Sequence, residues 1–365
     1  MKKKMSRHCG IQPLAGKKLL LTSLVLVFCL GLTGCFNNTT TEETNANAGE
    51  EPKTLTLYTY DSLSAEWGLL PLILDQFEQE NDLEVEVVSF ADTGSMLNQL
   101  ILEKAAPKAD IVLGLDNVDY QKVVSNDLLT PYQPTGYKNI APGLLFDEEG
   151  TMTPFDYGYV GFVYNSEEIE FEEPIFLNDL ASEEYKDKII IEQPGLSSPG
   201  TQLLLWSDAA LSETEFNNFW TNLNNNLLTV TPDWSTAYYS MFMEGEAPIV
   251  LSYLTSPAYH IAFDETDVYK ALPIKDGYVR QVEGVGVVNG ATNETGAEKF
   301  IDYILTDNVQ SQIGETQWMF PVLGDETTWP EAYSEIIIPE NNEVLEVNES
   351  DAENLIEKWN SIFGV

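Results

Sequence analysis

Two runs of the chain constrain its fold more than any other feature. Residues 153–164 are apolar and aromatic with Gly158 and Gly161 among them, and residues 279–288 form a second such run with Gly284 and Gly286. The first is too long for one tidy strand in one sheet. Between them lies a complete α/β set: a strand over 188–192, helices over 200–210 and 213–222, a strand over 228–231, a helix over 235–245 and a strand over 249–251. A chain that leaves one lobe, builds another and returns through a second connecting run predicts two α/β lobes with a cleft and a hinge. The first lobe is expected over 54–155 and 285–365, the second over 156–284.

The first lobe opens on 54–60, where apolar and polar residues alternate and β-formers abound, as a strand requires. Helical spacing follows over 69–80, then a strand over 83–90. Gly94 breaks the chain, Ser95 can cap a helix running to about residue 105, and 109–114 is a short apolar strand buried on both faces. Strand, helix, strand, helix, strand implies a parallel sheet. The tail from residue 294 onwards is expected to be largely helical and to pack back on the first lobe. No internal repeat is found.

Residues 1–34 read as a targeting segment and are excluded from the fold. A basic stretch precedes the apolar run 19–32, which is shorter than the ~20 residues of a membrane span. It ends in Leu32-Thr33-Gly34-Cys35, which resembles a bacterial lipobox, so the Cys35 thiol is expected to receive a diacylglycerol and hold the protein to a membrane outside the cytoplasm. Cys9 and Cys29 fall in the removed part, leaving the mature chain without a disulfide. From 35 to 53, Asn, Thr, Glu, Ala and Gly with almost nothing to bury read as a flexible tether.

Charge excludes some partners. The chain has 59 acids against 18 cations, and six of those cations sit in the acid-free first 34 residues. Nucleic acid needs clustered Lys and Arg, so it is not expected, nor is binding to anionic lipid through a basic face. A cationic ligand suits such a field, although most of the charge must lie on solvated faces.

The catalytic inventory is thin. His260 is the only histidine beyond the targeting segment, which removes multi-histidine metal sites, and no phosphate-cradling Gly-x-x-x-x-Gly-Lys-Ser/Thr loop occurs. Gly284-Val285-Gly286 lacks the rest of a dinucleotide fingerprint, and no Gly-x-Ser-x-Gly elbow accompanies His260. Paired acids are too common here to point to a glycosidase. No cofactor, no metal and no enzymatic activity are expected.

What recurs is aromatic residues beside turn chemistry where strands end. Tyr60, Asp61 and Trp67 follow the first strand, at the carboxyl edge where open α/β sheets bind ligands; Asp61-Ser62 could equally be a turn or cap. Gly94-Ser95 and Ser197-Ser198-Pro199-Gly200 each precede a predicted helix, one per lobe, and free N–H groups with hydroxyls suit an anion such as phosphate. Capping alone would account for either, and their occurrence on opposite lobes favours a shared anion site.

Further segments are Asp233-Trp234-Ser235-Thr236-Ala237-Tyr238-Tyr239, Leu251-Ser252-Tyr253-Leu254-Thr255-Ser256-Pro257-Ala258-Tyr259-His260 and Gln317-Trp318-Met319-Phe320-Pro321-Val322. Together with Thr59-Tyr60-Asp61-Ser62, Leu113-Gly114-Leu115-Asp116-Asn117 and Pro154-Phe155-Asp156-Tyr157-Gly158-Tyr159, in the same order over residues 54–322, the chain resembles the thiamine-binding proteins of bacterial ABC importers. The resemblance implies a two-lobe periplasmic-binding-protein fold of type II that takes thiamine or its phosphates in the cleft between the lobes and delivers it to permease subunits, with a monomer expected. Rings would enclose the vitamin at Tyr60, Trp67, Trp234, Tyr253, Tyr259 and Trp318, and phosphate contacts would fall on Gly94 and Ser197, with Ser95 and Ser198 beside them. Tyr238-Tyr239 is one residue longer than the pattern, and Ser198 and Thr201 depart from it.

The ligand chemistry agrees. Thiamine carries a cationic thiazolium and a flat aminopyrimidine, so ring faces gain stacking and cation–π attraction, ~2 kcal/mol per desolvated contact. A carboxylate can accept from the exocyclic amine, Asp61 first and Asp156 second. A same-fold receptor for ferric ion, suggested by Tyr238-Tyr239, or for a polyamine is the alternative. A thiamine-degrading enzyme of this fold would need a nucleophilic cysteine, and Cys35 alone remains after processing.

Overall fold

The structure is a computed structural model that describes residues 52–365. The targeting segment, Cys35 and the tether up to residue 51 lie outside the described residues. Among the described residues no helix is long and apolar enough to cross a membrane.

The chain opens with β1 (Thr54–Tyr60), the single turn α1 (Asp61–Ser64) and α2 (Leu70–Asn81), followed by β2 (Glu84–Phe90), α3 (Thr93–Glu103) and β3 (Ile111–Asp116). β1 lies between β2 and β3 and is parallel to both, with every residue of β3 buried. A strand covered on both faces carries an unbroken apolar run, and Ile111-Val112-Leu113 supplies it. α4 (Tyr120–Ser125) and the two-residue β4 (Leu129–Thr130) lead to the long β5 (Thr153–Asn165).

The second lobe contains β6 (Ile189–Glu192), α5 (Ser198–Ala210), α6 (Glu213–Asn226), β7 (Thr229–Thr231), a π-helical segment over Thr236–Phe242, β8 (Ile249–Tyr253), α7 (Ser256–Phe263) and β9 (Tyr269–Ala271). β10 (Val279–Val288) returns to the first lobe, where α8 (Glu294–Ile304), α9 (Asp307–Thr316) and β11 (Phe320–Pro321) follow; α10 (Ala352–Phe363) closes the chain.

The strands join in one sheet of order β2-β1-β3-β10-β5-β8-β6-β7. β10 pairs with β3 over Glu283 to Val287 and with β5 over Val279 to Val285, whereas β5 continues past Val160 to pair with β8 and β9. Thus the two long runs are the strands shared by both lobes. β10 is irregular at Glu283–Gly284 against β5 and at Gly284–Val285 against β3. Such bulges bend a strand and re-aim its side chains.

Each lobe has its own core. Leu55, Leu57, Ile73, Phe77, Ile111 and Phe300 fill the first; Phe162, Trp206, Phe216, Trp220 and Trp359 fill the second, all but excluded from solvent. α8 packs on α2 and β10, as expected of the tail, but α10 packs on α5 and α6 of the second lobe. Ala352, Leu355 and Trp359 form its buried stripe, and the Trp359 ring meets Trp220 edge to face with centroids 6.4 Å apart. The spacing shows that this helix has an apolar face. It does not show which lobe offers the matching one.

Candidate ligand-binding site

Strand ends bring the site together. Tyr60 closes β1, and its ring lies on β3 where Gly114 adopts φ +102; a Cβ there would fall 2.3 Å from Tyr60 Cε1. Only glycine takes that backbone without strain and leaves room for the ring. α1 starts at once, so Asp61 sits in the first helical turn, half-buried, with its carboxyl pushed up by burial. Ser235 of the second lobe donates to Asp61 Oδ1 at 3.3 Å. Trp67 is 50% exposed and meets Tyr239 edge to face at 5.9 Å, which puts a ring from each lobe at one rim.

The opposite wall comes from the π-helical segment, β8 and α7. Trp234 stacks on Tyr238 with centroids 5.0 Å apart, and its Nε1 donates to Ser252 Oγ at 2.9 Å. With the ring edge tied to Ser252, its orientation is fixed. The amide of Met243 donates to Tyr238 O, five residues back, so the segment expected as an ordinary helix over 235–245 is wound wider, each hydrogen bond spanning five residues instead of four. Tyr238 is buried and its Oη lies 2.9 Å from Nε2 of His260, whose Nδ1 is 2.8 Å from Asp264 Oδ2. Of the two adjacent tyrosines on which the ferric alternative rests, Tyr238 is therefore already engaged, with His260. Among the described residues, no group of three or more His, Cys, Asp or Glu is arranged to hold a metal.

Tyr259 on α7 and Trp318 after α9 meet edge to face at 5.8 Å. Trp318 has φ +54, a left-handed backbone that a bulky side chain rarely adopts. Tyr60, Asp61, Trp67, Ser198, Trp234, Tyr253, Tyr259 and Trp318 line one cavity of about 840 Å³, its open mouth included, which is within the usual size of small-molecule sites. Thus all six expected rings come together.

Gly94, Ser95, Ser197 and Asp156 do not line that cavity. Ser95 serves the capping box of α3, its Oγ donating to Asp92 O at 2.7 Å. The Gly94 amide donates to Leu196 O at 3.1 Å, and a Cβ at Gly94 would lie 2.6 Å from that oxygen, so the start of α3 presses directly on the segment before α5. Thr93 Oγ1 and Ser198 Oγ are 2.9 Å apart beside them, while the buried Ser197 hydroxyl lies next to the Asp92 carboxyl. The two helix starts do face each other, and Asp92 lies where they meet: it caps α3 through the Thr93 amide, and burial pushes its carboxyl up to about 7.

The floor holds Glu283 and Gln281, which were not expected from the sequence, and behind them Asp156, which was. Glu283 is buried at the bulge of β10; Tyr60 donates to its Oε2 at 2.6 Å and Gln281 to its Oε1 at 2.9 Å. Gln281 also donates to Tyr253 Oη at 3.1 Å. Asp156 stands opposite Glu283 on β5, fully buried, and neither of its oxygens has a hydrogen-bond partner. Burial first, and then each other's proximity for Asp156, keep these carboxyls well above the ordinary range. An acid at an inward position of the apolar run 279–288 was the available signal for Glu283. Asp92 was announced by Asp-Thr-Gly-Ser, a helix-start pattern.

The family described as bacterial extracellular solute-binding protein matches residues 106–344. The thiamine-binding periplasmic protein of Brucella suis biovar 1 (strain 1330) is 38% identical over 296 residues, covering 81% of this chain and 87% of the relative. That of Escherichia coli (strain K12) is 34% identical over 285 residues, covering 78% and 85%. Among solved structures, a periplasmic thiamin binding protein superposes with a TM-score of 0.78 at 31% identity over 87% of this chain and 98% of that one. A ferric ion-binding protein A from Pasteurella haemolytica, at 16% identity and a TM-score of 0.68, shares the fold alone. With a sheet threaded through two lobes, a ring-lined cleft between them and identity of this extent, the chain belongs to the bacterial extracellular solute-binding proteins and, within them, to the thiamine-binding periplasmic proteins.

Proposed function

We propose that the protein captures thiamine in the cleft outside the cytoplasmic membrane and hands it to the permease subunits of an ABC importer. One observation carries the reading. Eight aromatic residues, the six expected ones with Tyr238 and Tyr239, and three acids, Asp61, Asp92 and Glu283, line a cavity with no Lys, Arg or His in its walls. Electron-rich ring faces and carboxylates favour a flat cationic ligand, and cation–π contacts strengthen as water leaves. Asp61 is the acceptor for the aminopyrimidine amine. Phosphate esters extend towards the meeting point of α3 and α5, where Gly94, Ser95, Ser197 and Ser198 offer amides and hydroxyls at two helix starts once the Gly94–Leu196 and Thr93–Ser198 contacts between them open. No cofactor, metal or catalytic step belongs to this reading, and the protein acts as a monomer with no nucleic-acid partner. The Cys35 lipid anchors it to the membrane.

Calorimetric titration of the purified protein with thiamine, thiamine monophosphate and thiamine diphosphate tests it. Saturable binding of one thiamine per chain is expected. Failure to bind any of the three would end the proposal.

A further inference from the structure

The floor of the cleft contains two acids that no cation offsets. Glu283 and Asp156 are directly opposite each other on the two shared strands, where like charges are unfavourable. Both are buried, and Asp156 has no hydrogen-bond donor on either oxygen. The titratable groups around Glu283 are Tyr60 on β1, Asp92 at the start of α3, Asp116 at the end of β3, Asp156 on β5 and Tyr253 on β8; Tyr333 faces Asp156 from the tail. None of these is a cation. Arg280, three residues away on β10, donates instead to Gly143 O. A buried carboxylate pair with no positive partner retains a proton.

We infer that Glu283 is the residue that selects for the positive charge of the ligand, and that the Glu283–Asp156 pair gives up one proton to solvent as the cation enters. Glu283 reaches the cavity wall, and the bulge of β10 at this residue aims it there. Tyr60 and Gln281 hold its two oxygens, so the carboxylate is fixed before the ligand arrives. Burial, with Asp116 and Asp92 nearby, keeps the proton on Glu283, and Asp156 directly opposite on β5 is a positioning residue whose like charge disfavours both acids being ionised together. Charge then balances: one cation in, one proton out. This inference rests on thiamine being the ligand.

The test compares thiamine with its neutral isostere, in which a thiophene carbon replaces the quaternary nitrogen, by calorimetry at about pH 7.5 in two buffers of different ionisation enthalpy. Wild type should prefer thiamine by ~30-fold and release about one proton per thiamine bound, with none for the isostere. Glu283→Gln should bring the preference below ~5-fold by weakening thiamine, while isostere affinity stays near wild type and proton release disappears. Asp156→Asn should keep both the preference and a measurable proton release, because burial still holds the proton on Glu283, and this variant serves if Glu283→Gln does not fold; loss of the preference in Asp156→Asn would overturn the assignment to Glu283. Equal wild-type affinity for both ligands, or tight thiamine binding with no buffer dependence, would overturn the inference and leave thiamine capture intact. If neither ligand binds wild type, the thiamine reading itself has failed.

Discussion

Replacing Trp318 separates what its ring does from what its backbone costs. The ring lines the cavity and sits edge to face with Tyr259 at 5.8 Å and Phe263 at 5.9 Å, while its backbone holds φ +54. A residue with a Cβ in that conformation stores ~1–2 kcal/mol. Trp318→Ala keeps the Cβ and the strain but loses the ring face; Trp318→Gly loses both. Each should weaken thiamine by ~2–3 kcal/mol, or ~30- to 150-fold in Kd, because a desolvated cation–π contact and its packing disappear together. The two variants should differ in stability. Glycine relieves the strain but adds freedom to the unfolded chain, which leaves it ~0.5–1 kcal/mol more stable than alanine, about 2 °C in Tm. Calorimetric titration and thermal unfolding without ligand measure the two quantities separately. Wild-type affinity in Trp318→Ala would show that the ring is only packing. An alanine variant at least as stable as glycine would refute the strain argument.

Three further outcomes are expected. Ser197→Ala should weaken thiamine phosphate by ~1–2 kcal/mol and leave thiamine nearly unchanged, because its buried hydroxyl, which lies beside Asp92, can turn to a phosphate oxygen; titration of both ligands checks this, and equal losses would count against the anion site. Asp92 is pushed up to about 7 by burial, so it is neutral below that pH and anionic above it. Phosphate-ester affinity relative to thiamine should therefore fall as pH rises through about 7, and Asp92→Asn should flatten that ratio; a slope unchanged in the variant would remove Asp92 from the site. Cys35→Ala should yield protein that is unprocessed or released from the membrane, and recovery of lipid-labelled mature protein from that variant would contradict the anchor.

Much of the architecture was legible because it depends on local pattern. The run 153–164 reads as too long for one strand in one sheet, yet it is the single 13-residue strand β5 of one continuous sheet, pairing with β10 at one end and β8 at the other. The aromatic wall was legible for a different reason: Trp67, Trp234 and Trp318 each sit beside a turn at a strand or helix end, at the edge where open α/β sheets bind ligands. What remained hidden depends on contacts distant in sequence. Nothing near Glu283 reveals that it will face Asp156 and Tyr60, because the pairing is set by a strand register spanning more than a hundred residues. The same holds for α10, whose stripe fits Trp220 only after α6 is in place. The capping role of Ser95 competed with an anion role on the same residues, and only the position of Asp92 separates them.

Because β5 and β10 run hydrogen-bonded from one lobe into the other, any rotation of one lobe against its neighbour has its axis near those two strands. Displacement then grows with distance from the axis, as along a lever. Glu283 and Asp156 sit at the fulcrum and move least, so the charge at the floor keeps its geometry whether the cleft is open or shut. Trp67 and Tyr239, on opposite lobes at the rim, are at the long end and separate most. A ligand seated at the floor therefore meets its countercharge first and its enclosing rings last, and the same short movement at the strands becomes a wide one at the surface that a permease would touch.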